Sequence, residues 1–291
     1  MAEFVVVSAA TGNYYPLLKG LMDSIEKRVG KVPFTILDLG LTPGQVEELR
    51  DKGADTVVPD WDVDLRNKKV RKRHGERVPC PTYFRAFTAQ PYLPRYVKNH
   101  DVILWIDADA WVQDAACVDL YVRSAREGRM SISLEVDRCY GPGYWRLKSH
   151  FVEMSRAFGL KRGYRLAKTH TANVGALALH RDAPHWKLWQ DHMQYACARS
   201  PHERSQQWAL NHVVWFDKLP TDFLPAYCDW ISFEATPKLD EISGLLVEPH
   251  PPYHPIGILH NAEEDKDKVH EVKTLQGSTL RRTMRFEDWN R

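Results

Sequence analysis

Two carboxylates, Asp107 and Asp109, stand one residue apart directly after the apolar run Val102-Ile-Leu-Trp-Ile106. Near-continuous apolar residues over this length describe a strand buried on both faces, hence one near the middle of a sheet. Paired carboxylates at a strand end offer oxygen ligands to a hard divalent cation. In open α/β sheets, ligands gather at the carboxyl ends of the strands. A cation held there can bridge the two phosphates of a nucleoside diphosphate and neutralise the charge of a departing diphosphate. Asp-x-Asp by itself is common, and such residues also cap loops and turns. The buried strand before them sharpens the reading, because adjacent charges rarely end such a strand without a partner.

Other chemistry-bearing residues are scattered. His260 follows Gly257-Ile-Leu259 at the expected end of a short strand, where a lone imidazole serves either as structure or as a ligand. Lys266 lies in the charged run Glu263 to Lys268, as plain surface or as a point charge for a phosphate. Arg85 has a planar fork suited to phosphate or sugar hydroxyls. Asn173 and Gln207 offer both donors and an acceptor, as sugar hydroxyls require, but amides also cap helices and turns. Tyr14 suits stacking on a base or simply begins a helix.

The elements that must position these residues read as α/β. Phe4 to Val7 is a buried strand. A helix follows from Pro16, with Leu17, Leu18, Leu21, Met22 and Ile25 at helical spacing, and Gly30 closes it. Pro33 to Leu39 is a second strand, Gln45 to Lys52 a second helix ended by Gly53, and Thr56 to Val58 a third strand. This alternation predicts a parallel, doubly wound sheet. Further expected elements are a helix over 83–96 interrupted late by Pro94, strands over 130–136 and 173–179, and helices over 186–198 and 206–214. From Pro220 the chain is loop-rich, with a short apolar run at Ile256 to His260. The basic stretch Arg66 to Arg77, which includes Arg73, reads as a solvated loop or as a flexible segment that meets phosphates.

The 291 residues, 43% hydrophobic and 27% charged, suit one large α/β domain. A formal net charge of +2 does not point to nucleic acid. The five cysteines are widely spaced with no C-x-x-C pair, which excludes a zinc ribbon and fits a reducing compartment. There is no signal-peptide pattern and no run of about 20 apolar residues, so the expectation is a cytoplasmic protein without a membrane span, peripheral association remaining open.

Taken together, the segments resemble the GT-A-fold glycosyltransferases, specifically the retaining, glycogenin-like and lipopolysaccharide galactosyltransferase-like family 8. The resemblance runs from Phe4 to about Lys266. It implies a GT-A-type, Rossmann-like, mostly parallel sheet with helices on both faces and a loop-rich C-terminal part. It implies a single domain, with residues 1–114 the nucleotide-binding half, 115–270 the sugar and acceptor half, and 271–291 a tail. Phe4 to Tyr14 resembles the first strand and uridine-binding loop, which assigns Ser8, Ala9, Ala10, Thr11, Asn13 and Tyr14 to the nucleotide. Thr82-Tyr-Phe-Arg85 resembles the segment whose Arg meets donor sugar and phosphate. Leu104-Trp-Ile-Asp-Ala-Asp109 resembles the metal motif, with Asp107 and Ala108 also at the nucleotide. Asn173-Val-Gly175 resembles the Asn-x-Gly strand against the donor sugar. Gln206-Gln207-Trp-Ala-Leu-Asn211 resembles the Asp-Gln-x-x-Leu-Asn helix start, which puts Gln207, Arg85 and Gln206 near catalysis. His260 and Lys266 resemble the late His of the metal shell and the Lys on the diphosphate.

Three positions depart from that pattern. Thr11-Gly12 replaces acidic residues, Gln206 replaces Asp, and Glu263 stands where a Gly is expected. The implied cofactor is Mn²⁺ or Mg²⁺, the implied donor a UDP-sugar, and the acceptor a glycan or small molecule. Retention comes from the resemblance alone. Because no carboxylate stands at Gln206 or Gln207, same-face attack is expected over double displacement. The other readings are a nucleotidyltransferase, whose basic loop after strand one is missing from Ala9-Ala-Thr-Gly12, and a non-catalytic nucleotide- or glycan-binding relative.

Overall fold

The computed structural model describes residues 4–72, 75–141 and 144–290. Strand β1 (Phe4–Ala10), helix α1 (Tyr15–Arg28), β2 (Phe34–Asp38), α2 (Pro43–Asp51) and β3 (Asp55–Val57) form the expected alternating start. Thr42 caps α2 reciprocally: its hydroxyl accepts from the Gln45 N–H at 3.3 Å, and the Gln45 side chain accepts from the Thr42 N–H at 2.9 Å. The Gln45 amide also donates to the Gly12 carbonyl at 3.2 Å, which ties α2 to the turn after β1.

The basic stretch is a hairpin rather than an open loop. β4 (Lys69–Arg71) and β5 (Arg77–Pro79) pair antiparallel. The Arg71 N–H donates to the Pro201 carbonyl at 2.9 Å, and the Glu203 N–H donates to the Arg71 carbonyl at 3.1 Å. Lys72 is hydrogen-bonded to the Tyr83 hydroxyl, and Arg73 lies outside the described residues. The helix expected over 83–96 is three pieces: α3 (Phe84–Ala89), a 3-10 turn (Gln90–Tyr92) and α4 (Leu93–Tyr96). Pro91 and Pro94 each fall in the opening turn of a new piece, where a missing N–H costs nothing.

β6 (Val102–Ile106), β7 (Ala110–Val112), α5 (Ala115–Arg126) and β8 (Met130–Leu134) come next. They are followed by α6 (Tyr144–Phe158), α7 (Leu160–Ala167), β9 (Ala172–His180), α8 (His185–Arg199), α9 (Ser205–His212) and β10 (Thr221–Leu224). Seven strands make one sheet in the order β10-β8-β9-β6-β1-β2-β3, with β6 at its centre. The sheet is parallel except at β9, which runs antiparallel to both β6 and β8. Side chains alternate between two cores. Val5, Val7, Ile103 and Trp105 pack on one face, and Val6, Val102, Leu104 and Ile106 on the other, so both faces are covered. The division at 114/115 falls between β7 and α5, and the two halves share this sheet.

The C-terminal part contributes β11 (Trp230–Ile231), β12 (Lys238–Asp240), β13 (Leu245–Val247), β14 (Ile258–His260), β15 (His270–Lys273) and β16 (Thr279–Arg282). The stretch expected to be a tail packs back onto the body. β15 and β16 pair, the Trp111 indole donates to the Met284 carbonyl at 2.9 Å, and the Phe286 ring lies 5.7 Å from that of Trp111. No helix among the described residues is long and apolar enough to cross a membrane. All five cysteines are free thiols, with the Cys117 and Cys228 sulfurs 3.4 Å apart.

Candidate active site

Three strands bring the metal-ligand candidates together. β6 ends at Ile106, and the chain turns through Asp107 to Asp109 before β7, with the Ala110 N–H donating to the Asp107 carbonyl at 3.0 Å. β14 then pairs antiparallel with β7 in a register that sets His260 opposite Ala110, and the Asn261 N–H donates to the Asp109 carbonyl at 2.9 Å. This ladder closes a separation of about 150 residues. His260 Nε2 lies 3.5 Å from Asp109 Oδ1 and 3.7 Å from Asp107 Oδ2. One ligand atom from each of the three lies within 4.8 Å of the others. The donor set, two carboxylates and one imidazole, fits a Mn²⁺-type cation, which accepts mixed oxygen and nitrogen ligands.

Neighbouring groups hold this set in place. The Trp105 indole donates to Asp107 Oδ1 at 2.7 Å. Lys266 Nζ donates to Asp109 Oδ2 at 2.6 Å and to the Asn261 carbonyl at 2.8 Å. Asp229, fully buried, lies behind the imidazole with Oδ1 3.2 Å from His260 Nδ1. A carboxylate behind a ligating imidazole fixes which nitrogen faces forward. Gly175 supplies the room: a Cβ there would lie 2.3 Å from His260 Cε1. The Gly175 carbonyl also accepts from the Asp107 N–H at 2.7 Å. The glycine of the Asn-x-Gly segment is therefore required by the close approach of the imidazole.

The electrostatics reflect this crowding of charge. Burial, and then the Asp109 charge, push the Asp107 carboxyl above the ordinary carboxylate range, against the pull of His260. Burial also opposes ionisation of Asp109, but the hydrogen bonds and charges of His260 and Lys266 outweigh it and hold that carboxyl well below its usual value. For His260, burial disfavours the charged form, yet Asp229 and Asp109 overcome it and raise the imidazole. Three carboxylates converge on one buried histidine.

In front of the carboxylates lies a cleft of about 400 Å³. It is lined by Ala9, Ala10, Thr11 and Tyr14 after β1, by Asp107, Ala108 and Asp109, and by Leu39, Tyr83, Ala86, Phe87 and Trp105. The Tyr14 hydroxyl is raised to about 12 by burial and by the charges of Asp109 and Asp107, and Lys266 Nζ stands 5.9 Å from the Tyr14 ring centre. Most residues assigned to a nucleotide thus share one cleft. Ser8 is buried behind it with its hydroxyl unpartnered. Asn13 is exposed. Arg85 sits in the first turn of α3 with its guanidinium on the Pro59 carbonyl at 3.3 Å and the Thr82 carbonyl at 3.4 Å.

Asn173 lies on β9, and Gln206 and Gln207 lie in the first turn of α9. Asn173 accepts the Gly175 N–H at 3.0 Å. The Gln207 amide donates to the Ala172 carbonyl at 3.1 Å and to Glu135 Oε1 at 2.6 Å. Gln206 is buried next to it; its backbone carbonyl accepts from the Trp189 indole at 2.8 Å, and its side-chain oxygen has no partner. Sequence reasoning missed Glu135 and Asp229. A carboxylate does stand beside Gln207, supplied from 72 residues away. Glu135 directly follows β8, so the rule that ligands gather at strand ends could have flagged it. Asp229 sits next to Trp230 of a buried strand, a charge in an apolar context that signals a partner.

No protein-family model matches the chain, and no curated protein sequence matches it. Solved structures do match. Galactosyltransferase LgtC in complex with donor and acceptor sugar analogues is 17% identical, with a TM-score of 0.55 over 89% of this chain and 87% of that one. An active-site mutant of LgtC gives 15% identity and a TM-score of 0.57 over the same shares. Mouse xyloside xylosyltransferase 1 is 10% identical, with a TM-score of 0.54 over 90% of this chain and 97% of that one. The chain therefore has the GT-A-type fold of these glycosyltransferases, the fold that the resemblance implied.

Proposed function

We propose that this chain is a metal-dependent glycosyltransferase that takes a sugar from a nucleotide donor, a UDP-sugar, and passes it to a glycan or small-molecule hydroxyl. The observation that carries the reading is the convergence of Asp107, Asp109 and His260, with the two carboxylates lining the cleft after β1 and β6. Asp107, Asp109 and His260 hold a Mn²⁺ or Mg²⁺ ion, which supplies charge neutralisation for the leaving diphosphate. Tyr14 and the Ala9 to Thr11 backbone receive the base. Lys266, now paired with Asp109, is placed to follow negative charge onto the diphosphate. Asn173 and Arg85 hold donor hydroxyls and phosphate.

Gln207 has both amide hydrogens committed to Glu135 and Ala172. Its carbonyl oxygen is the end left to face positive charge developing on the sugar. We assign it that task, with attack on the same face and the acceptor's proton passing to the leaving phosphate, so that the protein works by positioning and electrostatics. Glu135 orients the amide.

The test is a thermal-shift panel of UDP, GDP and ADP with and without Mn²⁺. UDP with Mn²⁺ should stabilise most, by roughly 2.7 kcal/mol at about 100 times its dissociation constant. A larger shift with GDP would overturn the base assignment but keep the class. Slow hydrolysis of a UDP-sugar separates an enzyme from a non-catalytic relative. Release of pyrophosphate from UTP and a sugar phosphate would instead identify a nucleotidyltransferase.

A further inference from the structure

A second cluster of metal-ligand side chains lies on other elements. His192 is on α8, His212 ends α9, and Asp217 ends the π-helical turn Val213–Asp217 that continues α9. His192 Nε2 and Asp217 Oδ2 are 2.7 Å apart, and His212 Nδ1 is 3.6 Å from the same oxygen. One ligand atom from each of the three lies within 4.8 Å of the others.

The local backbone is built to make this arrangement. In an α-helix, residues five apart point about 140° away from each other around the axis, at about 100° per residue. The π turn closes on residues five apart and so brings Asp217 to the face that carries His212. Lys218 then stops the turn in the left-handed region at a φ of 54°. π turns of this kind concentrate at functional sites.

The buried partner is unsatisfied. His212 is only 7% exposed, and its Nδ1, which faces Asp217, makes no hydrogen bond. The two imidazole ring centres are 3.8 Å apart, and Phe158 and Phe216 pack on His212 at 5.3 and 4.9 Å. At 3.6 Å from Asp217 Oδ2, His212 Nδ1 is beyond hydrogen-bond reach of the carboxylate whichever tautomer the imidazole holds, so this buried nitrogen has no partner. A cation shared by all three groups satisfies each of them.

We propose that His192, His212 and Asp217 form a second metal site, for a zinc-type divalent cation. Two imidazole nitrogens and one carboxylate oxygen are a borderline donor set, softer than that of Asp107, Asp109 and His260. Ligand atoms held at about 2.0–2.2 Å in a tetrahedron stand about 3.3–3.6 Å apart. The 3.6 Å from His212 Nδ1 to Asp217 Oδ2 matches that spacing, while the 2.7 Å from His192 Nε2 is that of a hydrogen bond, which a cation taking the proton's place would widen. His192 and Asp217 retain side-chain exposures of 17% and 25%, so a water can complete the shell. The ion would fasten the end of α9 to α8. α9 carries Gln206 and Gln207 at its start, so the site acts as a staple on the helix that presents them and takes no part in the transfer.

The experiment uses the full chain carrying Asp109→Asn, which removes the first cation site, after chelator treatment and dialysis. Zn²⁺ is titrated by calorimetry and by melting temperature. One equivalent should bind and raise Tm. Adding His192→Ala should lower Zn²⁺ affinity on the order of 100-fold or more and remove the Tm shift, with the circular dichroism spectrum unchanged. Asp217→Asn should do the same, which covers the case in which the first variant folds poorly. Cobalt(II) in place of zinc should give tetrahedral absorption bands that both variants lose. Absence of stoichiometric binding in Asp109→Asn, or equal affinity with and without His192, overturns the proposal.

Discussion

The two histidine–aspartate clusters are built in opposite ways. Asp107, Asp109 and His260 stand where strands end, and a ladder between β7 and β14 sets their spacing. Backbone hydrogen bonds do the positioning, so the side chains need only project from the sheet edge. His192, His212 and Asp217 stand on helices, and their meeting depends on how α8 packs on α9 and on one widened turn. The first cluster opens on a cleft of about 400 Å³, while aromatic rings cover His212 in the second. A strand edge exposes ligands to a substrate; a helix packing interface hides them in structure. On the proposed reading, one cluster serves chemistry and the other cohesion.

The sharpest way to break this contrast is to disable each cluster in turn. Asp109→Asn should abolish both Mn²⁺-dependent stabilisation by UDP and hydrolysis of a UDP-sugar. Equal response of mutant and wild type to Mn²⁺ would show that the sheet-edge cluster is not the metal site. His192→Ala in the otherwise natural chain should lower Tm in the presence of Zn²⁺ and leave hydrolysis per folded molecule unchanged. If the two mutations exchange effects, the functional roles of the clusters are reversed.

A smaller effect is expected from the amide on α9. Gln207→Ala should reduce kcat and kcat/KM about equally, by about 2–4 kcal/mol, since the contact acts in the transition state. Gln206→Ala is the control, because its side-chain oxygen has no partner and its backbone carbonyl is already held by Trp189. Glu135→Gln keeps the shape and removes the charge, so it should cost less than Gln207→Ala if Glu135 only orients the amide. A larger loss in Glu135→Gln, with a glycosyl adduct trapped on Glu135 in the wild type, would favour double displacement over same-face attack.

What was legible in the sequence follows the same contrast. Strand-borne features could be read because their signals are local: Val102 to Ile106 is one apolar run, and Asp107 to Asp109 follows it directly. The central place of β6 came from that run alone. His260 and Lys266 stand out singly as a possible ligand and a possible phosphate charge, but only the family resemblance joins them to Asp109, because the β7–β14 register that brings them there leaves no local mark. Glu135 and Asp229 were missed for a related reason, since each is defined by a partner 72 or 31 residues away. Helices α5, α6 and α7 were also missed. In α6 the apolar residues Phe151, Met154 and Phe158 do recur at helical spacing, but they are interleaved with charged and aromatic residues that blurred the pattern. The π turn has no sequence signature at all; packing of Trp208 and Val213 into two cores sets where the chain must go.

The smallest expected effect concerns the residue behind the first cluster. Asp229 Oδ1 faces His260 Nδ1 at 3.2 Å as an ion pair, and neither carboxylate oxygen makes a hydrogen bond. Its role is to keep the proton on Nδ1, so that Nε2 faces Asp107 and Asp109. In Asp229→Asn the amide fills the same space without charge and no longer enforces that choice. Loss of such a backing carboxylate typically weakens metal binding about 10–100-fold, which is about 1.4–2.7 kcal/mol. The fold itself should respond as well. Without metal, Asp229 is the largest charge favouring the buried imidazolium of His260, so removing it should lower Tm in chelator. The check is to titrate Mn²⁺ against the UDP-induced Tm shift in both proteins and to measure Tm in chelator alongside. A lower chelator Tm with unchanged Mn²⁺ affinity would make Asp229 a structural acid. A weakened Mn²⁺ midpoint, whatever the chelator Tm, would make it the group that aims His260.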